Sequence, residues 1–204
     1  MSPRRAAALP DGGNLRDHLI ATAGRIIAEH RTAGLTVRAI AREAGVADGV
    51  LYNHFADKEE LLAYALCAHV GQVERDMGEL PAPGTGTVED NLRRYVGHGL
   101  EMHRRIVPAF VGLFSQPRVL ARFAELGEQD EDWRDRLYGY LRAERDLGRL
   151  APEARVGAAA RMIVGFCHET VMSALFQNGV PGPAPAPEAV DDLVAVVLHG
   201  IVSS

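Results

Sequence analysis

A chain of 204 residues, 47% apolar and 24% charged, can bury one sizeable core or two small ones and has ordinary globular composition. Its formal net charge of −5 argues against indiscriminate nucleic-acid binding, because a phosphate backbone rewards cations. Cys67 and Cys167 fall in separate apolar patterns and no apolar run approaches a bilayer's thickness, so a disulfide scaffold and a membrane span are both excluded and a cytoplasmic location is expected.

The charge is unevenly spread. Residues 1–56 carry seven arginines against five acids, a net of +2, so the acidic excess lies further on. Every basic side chain but one is arginine, and the exception is Lys58. Alanine, leucine, arginine and glutamate dominate, and β-formers other than valine are sparse, which favours helix.

In chain order, residues 1–13 have two prolines and two glycines without periodicity and are expected to form a disordered arm. Asn14 can cap a helix whose apolar positions are Leu15, Leu19, Ala23, Ile26, Ile27 and His30, with Gly34 in the connection after it. Thr36 is the next N-cap, and "VRAIAREAG" closes at Gly45 in the position after the C-cap. The very short helical stretch "DGVLYNHF" follows at once. Two short helices joined by a tight glycine turn form the helix-turn-helix pattern. Ile40 and Ala41 face inward on the first member, and Val46, Val50 and Leu51 clamp the second against it.

Asp57 caps the following helix, and Glu60 three residues on can reach back to the cap amide. That helix carries Leu61, Leu62, Ala65, Leu66, His69, Val70, Val73 and Met77 until "GELPAPGTGT" breaks it near residue 78. An amphipathic helix is expected over 88–107, ending before Pro108. A shorter apolar segment over 109–126 is interrupted near Pro117. Residues 131–147 open on Glu131 and Asp132 and turn Trp133, Leu137, Tyr140 and Leu141 inward.

Residues 153–178 are apolar on nearly all sides, with a stripe at Val156, Ala160, Ile163, Cys167, Val171 and Ala174. Residues 188–202 end the pattern with Val190, Leu193, Val194, Val197, Leu198 and Ile201. No segment reads as a strand. The fold class is all-α, with about nine helices.

The stretch "LIATAGRIIAEHRTAGLTVRAIAREAGVADGVLYNHFADKEELL" resembles the DNA-binding head of the tetracycline-repressor (TetR) family. The resemblance implies a three-helix head over 14–60 and a larger effector-binding and dimerisation body over 61–204. It also implies a DNA-binding transcriptional regulator, most simply a ligand-released repressor that binds a palindromic operator as a homodimer.

On the residues themselves, a recognition helix offers its first turn to base edges; here those residues are Ala47, Asp48, Gly49 and Val50, with Asn53 a turn later. Thr36, Arg38, Tyr52 and His54 carry polar tips that can reach phosphate oxygens. A cation at a helix start opposes the dipole, so Lys58 suits an anion docked against the free amides there. The resemblance implies the same phosphate contact. Family members often carry serine where this chain has Ala47, and a basic or neutral residue where it has Asp48. Two roles fit Asp48, a substitute cap, which is preferred, or a reader accepting from cytosine N4. Arg4 and Arg5 are of the type that enters a minor groove, although most short arms make no such contact.

The body should enclose a small, largely apolar effector. Candidate lining residues are His69, Tyr95, His103, Phe110, Phe114, Trp133, Phe166, His168 and Glu169, polar or aromatic groups in mainly apolar helices. Helices 153–178 and 188–202 would meet their copies as a four-helix bundle.

Metal and enzyme readings fail on geometry. His98 and His103 stand about 140° apart around a helix, and Met172 occupies the place of the second histidine in the H-E-x-x-H that His168 and Glu169 begin. No P-loop, nucleophile elbow or dinucleotide fingerprint is present, so no cofactor is expected. Two rivals remain. One is an interaction or ligand-binding protein that keeps the fold without operator binding, and the other is a redox sensor using Cys67 or Cys167.

Overall fold

The computed structural model of the chain describes residues 14–30, 36–127 and 132–200. Arg4 and Arg5 of the expected arm, the His30 side chain, Gly34, Glu131 and Ile201 lie outside the described residues. Among those described there are eight α-helices, one 3-10 helix and no strand. No helix among them is long and apolar enough to cross a membrane.

The α-helices are α1 (Leu15–His30), α2 (Val37–Glu43), α3 (Lys58–Asp76), α4 (Val88–Leu113), α5 (Pro117–Gly127), α6 (Trp133–Asp146), α7 (Val156–Asn178) and α8 (Pro187–His199), with the 3-10 helix Asp48–Asn53 between α2 and α3. They divide into two compact units, one of residues 14–75 and 108–127 and the other of 76–107 and 132–200. The expected boundary after residue 60 therefore lies inside α3, and the end of α4 with all of α5 groups with the N-terminal helices.

The first unit buries Leu19, Ala23 and Ile27 of α1, Ile40 and Ala41 of α2, and Leu61, Leu62, Ala65 and Leu66 of α3 in one core. Leu51 and Phe55 join it from the recognition segment, and Ala109, Leu113 and Val119 from α4 and α5. Apolar residues recurring at helical spacing put these side chains on one face, and their burial supplies the driving force for packing. Of the expected clamp, Leu51 is fully buried, whereas Val46 and Val50 stay half-buried.

Pro108 does not end its helix. α4 continues to Leu113 although a proline lacks the amide that would bond four residues back. Ala109 and Leu113 are buried beyond it, and packing of that turn outweighs the missing bond. Nor is Pro117 merely an interruption. It opens α5, where its fixed φ suits the first helical position and its lost amide had no helical partner to lose.

In the second unit α4, α6, α7 and α8 pack around Leu92, Val96, Leu137, Tyr140, Leu141, Ile163, Cys167 and Val194. The stripe expected on α7 is the buried one, at Val156, Ala160, Ile163, Cys167 and Val171. Its other sides are open, with Met162 and Phe176 at 46% and 78% exposure. The stretch 81–87, which reads in the sequence only as a break, is tied down by side chains distant in the chain. Fully buried Glu144 accepts from the Gly84 amide at 3.1 Å and pairs with Arg149 at 3.3 Å. Arg149 in turn donates to the Gly86 carbonyl at 2.5 Å, and Asn91 to that of Thr85 at 2.7 Å.

Candidate nucleic-acid interface

Local chemistry builds the recognition segment. Thr36 accepts from the Ala39 amide at 3.1 Å and starts α2 as expected. At the far end Gly45 adopts φ +72, which a side chain would strain. The Val46 amide then reaches the Ala41 carbonyl at 2.9 Å and the Gly45 amide that of Arg42 at 3.2 Å, a Schellman closure. That closure aims the chain into the next helical segment within three residues.

That segment is a 3-10 helix rather than a stretch of α-helix, with Val50 bonded to the Ala47 carbonyl at 2.9 Å and His54 to that of Leu51 at 3.0 Å. Ala47 occupies the N-cap and has no side chain to bond the free amides, and Gly49 adds little helical preference. One face of the segment sinks Leu51 into the core, with Phe55 following just beyond its end. The opposite side leaves Ala47, Asp48, Gly49, Tyr52 and Asn53 exposed, together with Thr36 and Arg38 at the start of α2. His54 and Lys58 are half-buried. Tyr52 stands 60% exposed, so it is no core aromatic.

Asp48 is not a cap. It sits one place inside the 3-10 helix, and its carboxylate accepts from Arg38 Nε at 3.2 Å. The capping role expected for it gives way because a guanidinium lies within reach and offers a charged donor. Asp57 is the cap of α3, accepting from the Glu60 amide at 2.8 Å. Glu60 reaches back one residue further than a capping box requires, to the Ala56 amide at 2.6 Å rather than to Asp57.

Sequence reading missed what holds that cap. Arg122 of α5 grips Asp57 with both arms, at 2.5 and 2.8 Å. The Glu60 amide first, then Arg122, hold the Asp57 carboxyl below its ordinary value. Arg16 was missed as well. It lies over the Phe55 and Tyr64 rings at 4.9 and 4.2 Å and within 3.5 Å of Glu60. Lys58, beside the cap, forms no ion pair among the described residues. An ammonium at a helix start and an exposed tyrosine thus share one short stretch. Such a stretch offers donors to an anion.

The nine effector candidates do not converge within either unit. His69, Phe110 and Phe114 belong to the first, and the other six to the second. His69 lines a cleft of about 390 Å³ between α1 and α3 with Gly24, Arg25 and Gln72. Phe110 meets Phe123 edge-on at 5.0 Å, while Phe114 is exposed. In the second unit Tyr95 stacks on Tyr140 at 4.7 Å, Phe166 is half-buried and Glu169 points to solvent.

His103, Trp133 and His168 do come together. The His103 ring lies 5.5 Å from that of Trp133 and 4.4 Å from that of His168, edge-on to both. His103 Nδ1 donates to the Gly99 carbonyl at 2.5 Å, which leaves Nε2 as the acceptor in the neutral ring. Buried Trp133 has no partner for its indole N–H among the described residues. Cys167 is buried with its thiol pushed up to about 12 by desolvation, which disfavours a thiolate and with it a redox role. Among the described residues no group of three or more His, Cys, Asp or Glu side chains is disposed to hold a metal ion.

Residues 19–65 match the family model described as bacterial regulatory proteins, tetR family. No curated protein matches the chain. Among solved structures, the fatty acid degradation regulator FadR from Bacillus halodurans is similar with a TM-score of 0.62 at 22% identity, over 94% of this chain and 98% of that one. FadR from Bacillus subtilis in complex with stearoyl-CoA gives 0.60 at 21% identity, over 91% and 99%. A transcriptional regulator from Saccharomonospora viridis in complex with choline gives 0.59 at 18%, over 93% and 98%. At these identities the likeness is one of fold.

Proposed function

We propose that the chain, whose residues 19–65 match the tetR-family model, is a DNA-binding transcriptional regulator of that family which represses as a homodimer on a palindromic operator and is released by a small effector. The observation that carries the operator reading is the exposed row Thr36, Arg38, Ala47, Asp48, Gly49, Tyr52 and Asn53 over a segment anchored by Leu51 and Phe55. Residues at the start of the recognition helix face base edges. Tyr52, His54, Thr36 and Lys58 hold phosphates and so fix its register. Two heads about 34 Å apart would enter successive major grooves.

Binding of the purified protein to a genome-derived DNA pool tests this. A palindrome should be recovered. Lys58→Ala should weaken binding to all sequences alike and lower the slope of log affinity against log salt by about two per dimer. Unchanged affinity and slope would remove Lys58 from the interface.

The dimer reading rests on the open side of α7. Exposed Met162 and Phe176, with half-buried Val196, Val197 and Leu198 on α8, leave apolar area that a second copy would cover. Met162→Asp combined with Phe176→Asp should give a monomer in sedimentation and lose operator affinity with it. A dimer that persists would move the interface elsewhere.

For the effector, the second unit offers His103, His168 and the Trp133 N–H, unpartnered among the described residues, beside apolar walls. An effector that favours a conformation with different head spacing would shift the population off DNA. Stearoyl-CoA and choline, held by two structural relatives, are reasonable first compounds to test for operator release. This reading assigns no catalytic residue, and turnover of a bound compound would contradict it. The second reading, an interaction protein without an operator, is favoured by one observation, the neutralisation of Arg38 by Asp48. Flat salt dependence and no enriched sequence would select it.

A further inference from the structure

Within the exposed row one cation is already occupied. Arg38 stands at the second position of α2, the helix that crosses the backbone in such motifs, and Asp48 opens the segment that meets the bases. Their side chains are 87% and 51% exposed, and a single hydrogen bond, Nε to Oδ2 at 3.2 Å, joins them. The contrast with Arg122 and Asp57 is plain. There both arms of the guanidinium engage both carboxylate oxygens, at 2.5 and 2.8 Å. An exposed one-pronged pair contributes little to stability and exchanges partners readily.

We infer that Arg38 and Asp48 form a base-gated phosphate contact, in which Asp48 withholds Arg38 from the backbone until an exocyclic base amino group takes Asp48 away. This rests on the operator-binding reading. A carboxylate beside DNA is repelled by phosphates and by base acceptors, and it gains only where a base presents a donor. Cytosine N4 is the favoured donor, because adenine flanks its N6 amino group with the N7 acceptor. Opposite such a base, Asp48 accepts the amino hydrogen and Arg38 is released to a phosphate, so one correct base adds two contacts. Opposite guanine or thymine the edge is acceptor-rich, Asp48 stays on Arg38, and both contacts are lost together. One aspartate thereby couples sequence readout to electrostatic grip, and it lowers affinity wherever the base is wrong.

The test compares salt dependence on the recovered operator and on an unrelated duplex, for the intact full chain and for Asp48→Asn and Arg38→Ala. Thermal unfolding checks that each exposed-site variant is folded. In the intact protein the slope of log affinity against log salt should be steeper on the operator by about two, one phosphate per protomer. Asp48→Asn should strengthen binding to the unrelated duplex several-fold, erase the slope difference and flatten discrimination at one base position per half-site. Arg38→Ala should weaken binding to both duplexes, because the bare Asp48 carboxylate then faces the phosphates, and should erase the slope difference between them. Equal slopes on both duplexes in the intact protein would overturn the inference. So would an Asp48→Asn variant that binds both duplexes more weakly. If no sequence is enriched and binding to both duplexes is independent of salt, the operator reading falls and takes this inference with it; an enriched, salt-dependent operator with equal slopes sinks the gate alone.

Discussion

Gly99→Ala is expected to destabilise the second unit by about 3 kcal/mol, the upper end of the usual cost of overpacking, and Gly97→Ala, two residues earlier on the same helix, to stabilise it. A Cβ on Gly99 would lie 2.5 Å from Trp133 Cη2 and 3.0 Å from Cε2, well inside van der Waals contact. Trp133 is 2% exposed and cannot swing aside, because its ring is held edge-on by His103 in a closed core. Close-packed interiors accommodate an added methyl only by forcing side chains off their rotamers. At Gly97 an added Cβ meets nothing within 4 Å. Alanine there gains helix propensity and restricts the unfolded chain, for roughly 0.5–1 kcal/mol of stabilisation. Thermal unfolding followed by tryptophan fluorescence reads both, since Trp133 is the only tryptophan. Equal shifts of one sign for the two variants would show that the Gly99–Trp133 fit is not what holds that part of the core.

His103 should make stability fall with acidity. Burial, above all, pushes its ring from 6.5 down to about 4, and the neighbouring His168 and Arg134 add to the effect against the hydrogen bond to Gly99. A folded pKa below the unfolded one means that the unfolded chain binds the proton more readily. The ring's contribution is therefore complete above pH 6.5 and is lost as pH falls from 6.5 to 4, by about 3 kcal/mol at most. Below pH 4 the loss levels off. His103→Gln keeps an amide donor for the Gly99 carbonyl and removes the titration. Its stability, from urea midpoints between pH 7 and 4, should vary less steeply than that of the unsubstituted protein. A residual slope remains, because His98 and His168 are also lowered by burial. Parallel profiles for the two proteins would remove His103 as the source.

Taken alone, the sequence determined the features whose causes lie within four or five residues. Thr36 and Asp57 cap their helices because a short oxygen-bearing side chain sits beside free amides, and Gly45 closes α2 because only glycine takes its φ without strain. The α7 stripe was legible for the same reason, since helical spacing alone chooses which residues share a face. These local signals carried the head, its exposed row and the resemblance to the TetR family.

Only the tertiary structure decided which long-range partner wins. Asp48 reads as a cap first and a base reader second until Arg38, ten residues away, turns out to lie within 3.2 Å. Arg122 stands 65 residues from Asp57, and no spacing in one sequence links them. Pro108 reads as a helix end, because its missing amide is a local fact while the burial of Ala109 and Leu113 that outweighs it is not. Among the effector candidates, apolar periodicity found the burial of Tyr95, His103 and Trp133. It could not tell that Phe114 and Glu169 face solvent, nor that His168 meets His103. Periodicity tells a helix which face to bury. What that face is buried against depends on how separate helices pack, and there charge partners and ring contacts are chosen.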